Sequence, residues 1–235
     1  MTAGYSDIHR GFLQIVMSRG SISTDSANKV LVDLFASQSR GVPSEDDLQP
    51  IVDAINEKIH VFDQRIDIVT SQYDDKAFVV MVNTSQSAIT KLQATYKQTE
   101  IEFFRLLMKE VAMAEEHSLR KISVLNIMNP NRNKDVNLTM TQLEKLLNDW
   151  IEEGYFYEQN GHVYFGVRSV AEFGEFLRSK FNVDSCQLCK SVLLKGVDCN
   201  GDTCNGRFHT SCLRKYMAKN TKCPKCKKVW STPVP

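Results

Sequence analysis

The chain has 235 residues, 42% of them hydrophobic and 24% charged, an ordinary composition for a soluble globular protein of two or three small domains. No apolar run approaches the roughly 20 residues of a membrane-spanning helix. Residues 1–7 also lack the basic-then-apolar pattern of a secretory leader, which points to the cytosol or nucleus, where disulfides are uncommon.

The net charge of +1 conceals a division: residues 183–235 hold ten Lys/Arg and three Asp/Glu, a formal +7, and residues 1–182 carry a formal −6. All seven cysteines fall between residues 186 and 226.

In chain order, Phe12, Ile15, Val16 and Met17 mark a first helix, and Val30, Leu31, Leu34 and Phe35 a second. Gly41-Val42-Pro43 breaks the pattern, and Ser44 with Asp47 three residues on is a candidate N-cap. Leu48, Ile51, Val52, Ile55, Ile59 and Phe62 then recur at helical spacing. Two β-rich runs, residues 66–70 and 78–82, flank the turn-forming Tyr73-Asp74-Asp75. Three helices followed by a hairpin is the element order of a winged helix.

The order repeats. Ile101, Phe104, Leu107, Met108 and Val111 form one stripe, and Val124, Leu125, Ile127 and Met128 a short helix stopped by Asn129-Pro130-Asn131. Thr141 and Glu144 suggest a capping box ahead of Leu143, Leu146, Leu147, Trp150 and Ile151, with Gly154 as the stop. Residues 155–157 and 163–165 flank Asn160-Gly161, the strongest short hairpin signal. A last amphipathic helix (Val170, Phe173, Phe176, Leu177) leads to about Val183. The expected fold is α+β: two tandem winged-helix domains at 1–95 and 96–182, then a zinc domain at 183–235. A single undifferentiated α+β domain is the alternative.

DNA-binding winged helices place a Lys/Arg-bearing helix in the major groove. Here the helix before each hairpin is acidic: Glu45, Asp46, Asp47, Asp53 and Glu57 against Lys58, and Glu144, Asp149, Glu152 and Glu153 against Lys145. Such helices repel phosphates, so docking on proteins is the better reading. Arg120, Lys121, Arg132 and Lys134 form a looser basic patch, for which DNA contact is weak or indirect and a solvated loop the simpler account.

Eight candidate metal ligands run in order: Cys186, Cys189, Cys199, Cys204, His209, Cys212, Cys223 and Cys226, with gaps of two, nine, four, four, two, ten and two residues. A two-residue gap lets a tight knuckle aim two ligand atoms at one ion, and structural zinc takes four N/S ligands in a closed tetrahedron. Eight ligands therefore make two zinc sites. A segment this small and polar needs metal to fold, which in zinc fingers contributes about 10–16 kcal/mol per site. Iron–sulfur binding suits the set less well because a histidine stands among the ligands. Seven thiolates on two zinc ions would bring the tail from +7 to about +4. His9, His60, His117 and His162 have no ligand-spaced partners.

A four-Cys, one-His, three-Cys order resembles the RING, the variant RING of membrane ligases and the PHD finger, and all three imply an interleaved, cross-brace pairing. Cys186, Cys189, His209 and Cys212 would then bind the first zinc, and Cys199, Cys204, Cys223 and Cys226 the second. A PHD finger typically carries Trp two residues before its seventh ligand, where this chain has Thr221. Leu188, Tyr216, Pro224 and Lys227 match positions at which a RING contacts a ubiquitin-conjugating enzyme or its linked ubiquitin. Cys204 stands where the common RING has His, and four residues separate it from Cys199.

Over nearly its whole length the chain resembles the RING-containing non-SMC element, element one, of the SMC five–six genome-maintenance complex. The resemblance rests on Asp7-Ile8-His9-Arg10-Gly11-Phe12-Leu13-Gln14, Cys186-Gln187-Leu188-Cys189, and Cys223-Pro224-Lys225-Cys226 followed by Trp230. It implies a nuclear, chromosome-associated subunit, paired with a MAGE-type protein and a kleisin, whose ubiquitin ligase activity the MAGE partner stimulates. A RING forms no covalent ubiquitin intermediate; it orients the conjugating enzyme's thioester. That is consistent with a chain whose every cysteine is committed to metal. A non-catalytic scaffold, its zinc module only an interface with the MAGE–kleisin pair, is the alternative.

Overall fold

The computed structural model describes residues 5–39, 41–85, 96–127, 138–201, 203–231 and 233–234. The first unit runs α1 (Asp7–Arg19), β1 (Ser21–Ser23), α2 (Thr24–Ser37), a 3₁₀ turn (Glu45–Asp47), α3 (Leu48–Ile59), β2 (Gln64–Thr70) and β3 (Ala77–Asn83). The second repeats that pattern with α4 (Gln98–Met113), β4 (Ser118–Arg120), α5 (Lys121–Ile127), α6 (Met140–Glu152), β5 (Phe156–Gln159) and β6 (His162–Phe165). It continues into α7 (Val167–Phe181), and a zinc-type module with β7 (Val197–Asp198), β8 (Arg207–Phe208) and α8 (Thr210–Met217) completes the chain. Both three-stranded sheets are antiparallel with the last strand central: β1-β3-β2 and β4-β6-β5.

Local chemistry sets the boundaries. Ser44 donates its N–H to Asp47 Oδ2 at 2.7 Å, as expected. The expected box at Thr141/Glu144 instead sits two residues earlier, with Thr139 N–H to Gln142 Oε1 at 2.8 Å and Gln142 N–H to Thr139 Oγ1 at 3.3 Å. Thr139-Met140-Thr141-Gln142 and the stretch that follows contain two overlapping capping patterns, and the helix starts at the first. Gly154 does end α6, at φ 82°. Its N–H reaches the Ile151 carbonyl and the Tyr155 N–H the Trp150 carbonyl, the paired bonds of a Schellman cap. Asn160 and Gly161 both have positive φ (52° and 73°), which a two-residue hairpin of type I′ requires. Phe62, expected on the α3 stripe, lies beyond the helix in a 3₁₀ turn and is 69% exposed. The stop at Asn129-Pro130-Asn131 and the residues Met128, Arg132 and Lys134 lie outside the described residues.

The two units are closely packed rather than strung apart. Four consecutive β3 residues, Val79 to Val82, are buried. Because strand side chains alternate, only coverage of both faces produces that run. Val79 and Met81 join the helical core of the first unit, and α7 from the second unit lies against β3 on the other side. Along the seam, Arg168 Nε donates to Glu172 Oε1 at 3.0 Å, and its guanidinium stands 4.3 Å over the Tyr155 ring. Asn83 N–H and Tyr155 OH complete the carboxylate's partners at 3.4 Å each. Gly20 and Gly154 let the backbones approach here: a Cβ on Gly154 would stand 2.2 Å from Ser21 Oγ.

The zinc-type module is fused to this body. Val183, Val192 and Leu194 belong to the core of the second unit with Trp150, Phe104 and Phe173, whereas Leu193, Phe208 and Leu213 form a small core of their own with Cys186 and Cys223.

Candidate metal centre and its support

Two knuckles of the same construction carry four of the eight candidate ligands. In the first, Cys186 N–H reaches the Ser191 carbonyl (2.9 Å) and Lys190 N–H the Cys186 carbonyl (2.8 Å). In the second, Cys223 N–H reaches the Lys228 carbonyl (2.8 Å) and Lys227 N–H the Cys223 carbonyl (3.1 Å). Each turn closes through a lysine in the left-handed region, Lys190 at φ 65° and Lys227 at φ 63°. Isolated bridges Ser185–Val192 and Lys222–Val229 flank them equivalently. The β7–β8 hairpin and the start of α8 deliver Cys199, His209 and Cys212 from the middle of the segment.

The ligand atoms fall into two groups, each within 4.8 Å: Cys186, Cys189, His209 and Cys212, and Cys199, Cys204, Cys223 and Cys226. In the second group Cys199 Sγ stands 3.8 Å from Cys226 Sγ, and Cys204 Sγ 4.0 Å from Cys223 Sγ. A disulfide would need about 2.05 Å. A tetrahedral zinc with Zn–S bonds of about 2.3 Å sets its sulfurs roughly 3.8 Å apart, so the spacing fits a shared ion. In the first group His209 Nδ1 lies 3.3 Å from Cys189 Sγ and 3.7 Å from Cys212 Sγ. The wide gap between Cys199 and Cys204 does not separate their thiols from the group. Cys204 N–H turns back onto the Gly201 carbonyl at 2.8 Å.

Electrostatics point the same way. Burial, then the charge of Cys189 and Cys186, pushes the Cys212 thiol up to about 12; three thiolates this close need a cation to be ionised together. The Lys228 N–H lowers Cys226 to about 7. His209 is buried, and burial lowers its pKa, against the pull of the Val192 carbonyl. Its Nε2 lies 2.9 Å from that carbonyl and must donate the proton there. Nδ1 is left with its lone pair aimed among the thiols, the tautomer that a metal-binding imidazole uses.

Leu188 packs partly buried against the module's small core. Tyr216 is half-buried on α8, Pro224 half-buried inside the second knuckle, and Lys227 exposed with its Nζ on the Pro224 carbonyl at 2.8 Å. Of the suggested basic patch, Lys121 is paired with Glu158 at 2.7 Å. His9 is buried, with Nδ1 accepting the Ser6 N–H at 3.0 Å ahead of α1, and His117 turns onto the Ala112 carbonyl. Sequence reasoning missed Gln72 and the Val192 carbonyl, which support the first group. It also missed Arg207, which ties Asp198 (2.7 Å) and Asp184 together across the module. No periodicity or spacing marks such long-range polar contacts.

A family model described as "Nse1 non-SMC component of SMC5-6 complex" matches residues 9–173, more than half of the chain. The chain belongs to the Nse1 family. A second model, described as a RING-like domain, matches residues 186–226, so the Nse1 body here ends in a RING-like domain. Similar proteins named non-structural maintenance of chromosomes element 1, or its homolog, occur widely. The Drosophila melanogaster protein is 26% identical over 97% of each chain. The Homo sapiens protein is 23% identical over 98% of this chain and 86% of its own, and the Schizosaccharomyces pombe protein 23% identical over 97% and 94%. A chain of a solved Nse1-Nse3-Nse4 complex superposes with a TM-score of 0.77 at 22% identity, covering 98% of this chain and 99% of that one. That likeness establishes the mixed helix-and-sheet Nse1 fold.

Proposed function

We propose that the chain is a RING-type ubiquitin ligase subunit of an SMC5-6 DNA-repair complex, built of two winged-helix units and a cross-braced zinc module that holds two zinc ions. The carrying observation is the pair of four-ligand groups at zinc spacing, drawn alternately from the chain order. When bound, zinc supplies folding energy and fixes the two knuckles. The chain itself supplies the platform that orients a conjugating enzyme, with Leu188, Tyr216, Pro224 and Lys227 as its contact set. The shared strand order of the two sheets supports the winged-helix reading.

The body is the protein-docking part. The helices that would face DNA expose Asp53, Glu57, Glu144 and Glu152, and an apolar pair, Val61 and Phe62 (67% and 69% exposed), follows α3. An acidic surface with exposed apolar side chains suits a protein interface, here with a MAGE-type subunit and through it a kleisin, as the name of the solved Nse1-Nse3-Nse4 assembly suggests. DNA contact is then indirect, and the chain works in the nucleus on chromosomes.

A second reading has support of its own. Because Val183, Val192 and Leu194 are part of the second unit's core, the zinc module also serves as a structural wall of the body, and a scaffold without catalysis would need no more. Discharge of a ubiquitin-charged conjugating enzyme separates the two. The ligase reading predicts discharge that a MAGE partner stimulates and that Leu188→Ala abolishes without loss of zinc. No discharge with or without the partner leaves the scaffold.

A further inference from the structure

The turn between β2 and β3 reaches from the first unit into the metal module. Gln72, two residues past the end of β2, makes three hydrogen bonds to one loop. Its Nε2 donates to the Val192 carbonyl at 3.0 Å, and its Oε1 accepts the Leu194 N–H at 2.9 Å and the Lys195 N–H at 3.2 Å. The Val192 carbonyl is also the oxygen to which His209 Nε2 donates. A carbonyl has two lone pairs, and both are engaged here, by a metal-group imidazole on one side and by the body on the other. The Val192 side chain is buried beside Gly174 of α7, so the loop is fixed from its apolar side while its carbonyl is aimed by polar contacts alone.

We propose that Gln72 is a positioning residue of the first metal group, acting through the Val192 carbonyl on His209, so that metal retention and docking of the module on the first unit are coupled. The inference rests on the zinc reading above. Its physical basis is that outer partners of a ligating histidine fix the ring's tautomer and plane, and their removal typically weakens metal binding about 10–100-fold. Coupling is reciprocal: if Gln72 favours the bound metal, the bound metal favours docking of the 192–195 loop on Gln72 by the same factor. The neighbouring Asp75–Arg214 ion pair, at 3.2 Å and partly exposed, joins the same turn to α8 without touching that carbonyl. It therefore reports what simple docking contributes.

The test is zinc release from the full chain to a chromogenic chelator. Cadmium-113 spectra of the exchanged protein distinguish the three-thiolate, one-imidazole group from the four-thiolate group. Gln72→Met, which keeps the length and removes all three bonds, is expected to speed release from the His209 group about tenfold and to leave the four-thiolate group unchanged. Gln72→Glu, which keeps the acceptor and sets an anion against the Val192 oxygen, is expected to do the same or more. Asp75→Asn should release both ions like the parent. Parent-like release in both Gln72 variants overturns the inference, as does equal acceleration of both groups or an equal effect of Asp75→Asn. A parent chain that binds no zinc is a different result: it refutes the metal reading itself and is seen before any variant is made.

Discussion

Arg168 and Glu172 lie one helical turn apart on α7 and share a seam with only 18% and 2% of their side chains exposed. Burial raises the Glu172 pKa, against the pull of Arg168, which lowers it. A carboxyl raised in the folded state contributes most stability below its unfolded pKa, and that contribution is lost as pH rises through the folded value. Glu172→Gln should therefore flatten the dependence of stability on pH across the weakly acidic range, measured by urea unfolding. An unchanged slope contradicts the assignment. Arg168→Met, by contrast, leaves a buried carboxylate without its cation, and removing one partner of such a pair costs about 3–5 kcal/mol. At this scale the candidate ligands that the structure gathers into two groups were legible because two-residue gaps are a property of local sequence. Arg168, Gln72 and the Val192 carbonyl were not: Gln72 meets its partner 120 residues away, and nothing near either residue announces the other.

Elements were legible in proportion to their apolar content. The helices over 48–59 and 140–152 and the hairpin at Asn160-Gly161 follow from stripes and a turn with a physical signature. The strands β1 and β4, Ser21-Ile22-Ser23 and Ser118-Leu119-Arg120, carry one apolar residue each. They exist because a central strand offers them an edge, which no local signal reveals. The end of α6 is the element on which the seam turns. Gly154 takes a left-handed conformation and stands against Ser21, so Gly154→Ala combines a positive-φ penalty of about 1–2 kcal/mol with a steric one. Thermal unfolding should show a loss larger than the φ penalty alone, and Ser21→Gly in the same chain should recover part of it. A full-strength loss in the double variant would mean that the close approach contributes nothing.

On the scale of the whole molecule, the three parts meet at the β2–β3 turn. The Tyr73 ring lies 4.8 Å from that of Tyr164 and 5.9 Å from that of Tyr157 of the second unit, while Gln72 and Asp75 hold the RING-like module. Apolar residues of the module complete the second unit's core, so the metal groups are expected to stabilise more than their own segment. The sequence pattern marked the order of helices and strands but not how closely they are fused, because burial of β3 on both faces and of Val192 depends on surfaces brought together only after folding. The proposed function depends on two ions held by alternating ligands. The native mass of the full chain tests it directly: two zinc ions are expected in the parent, and one in Cys204→Ser, with the His209 group still filled. A parent stoichiometry other than two, or loss of the His209-group ion while the four-cysteine group keeps its own in that variant, would contradict it.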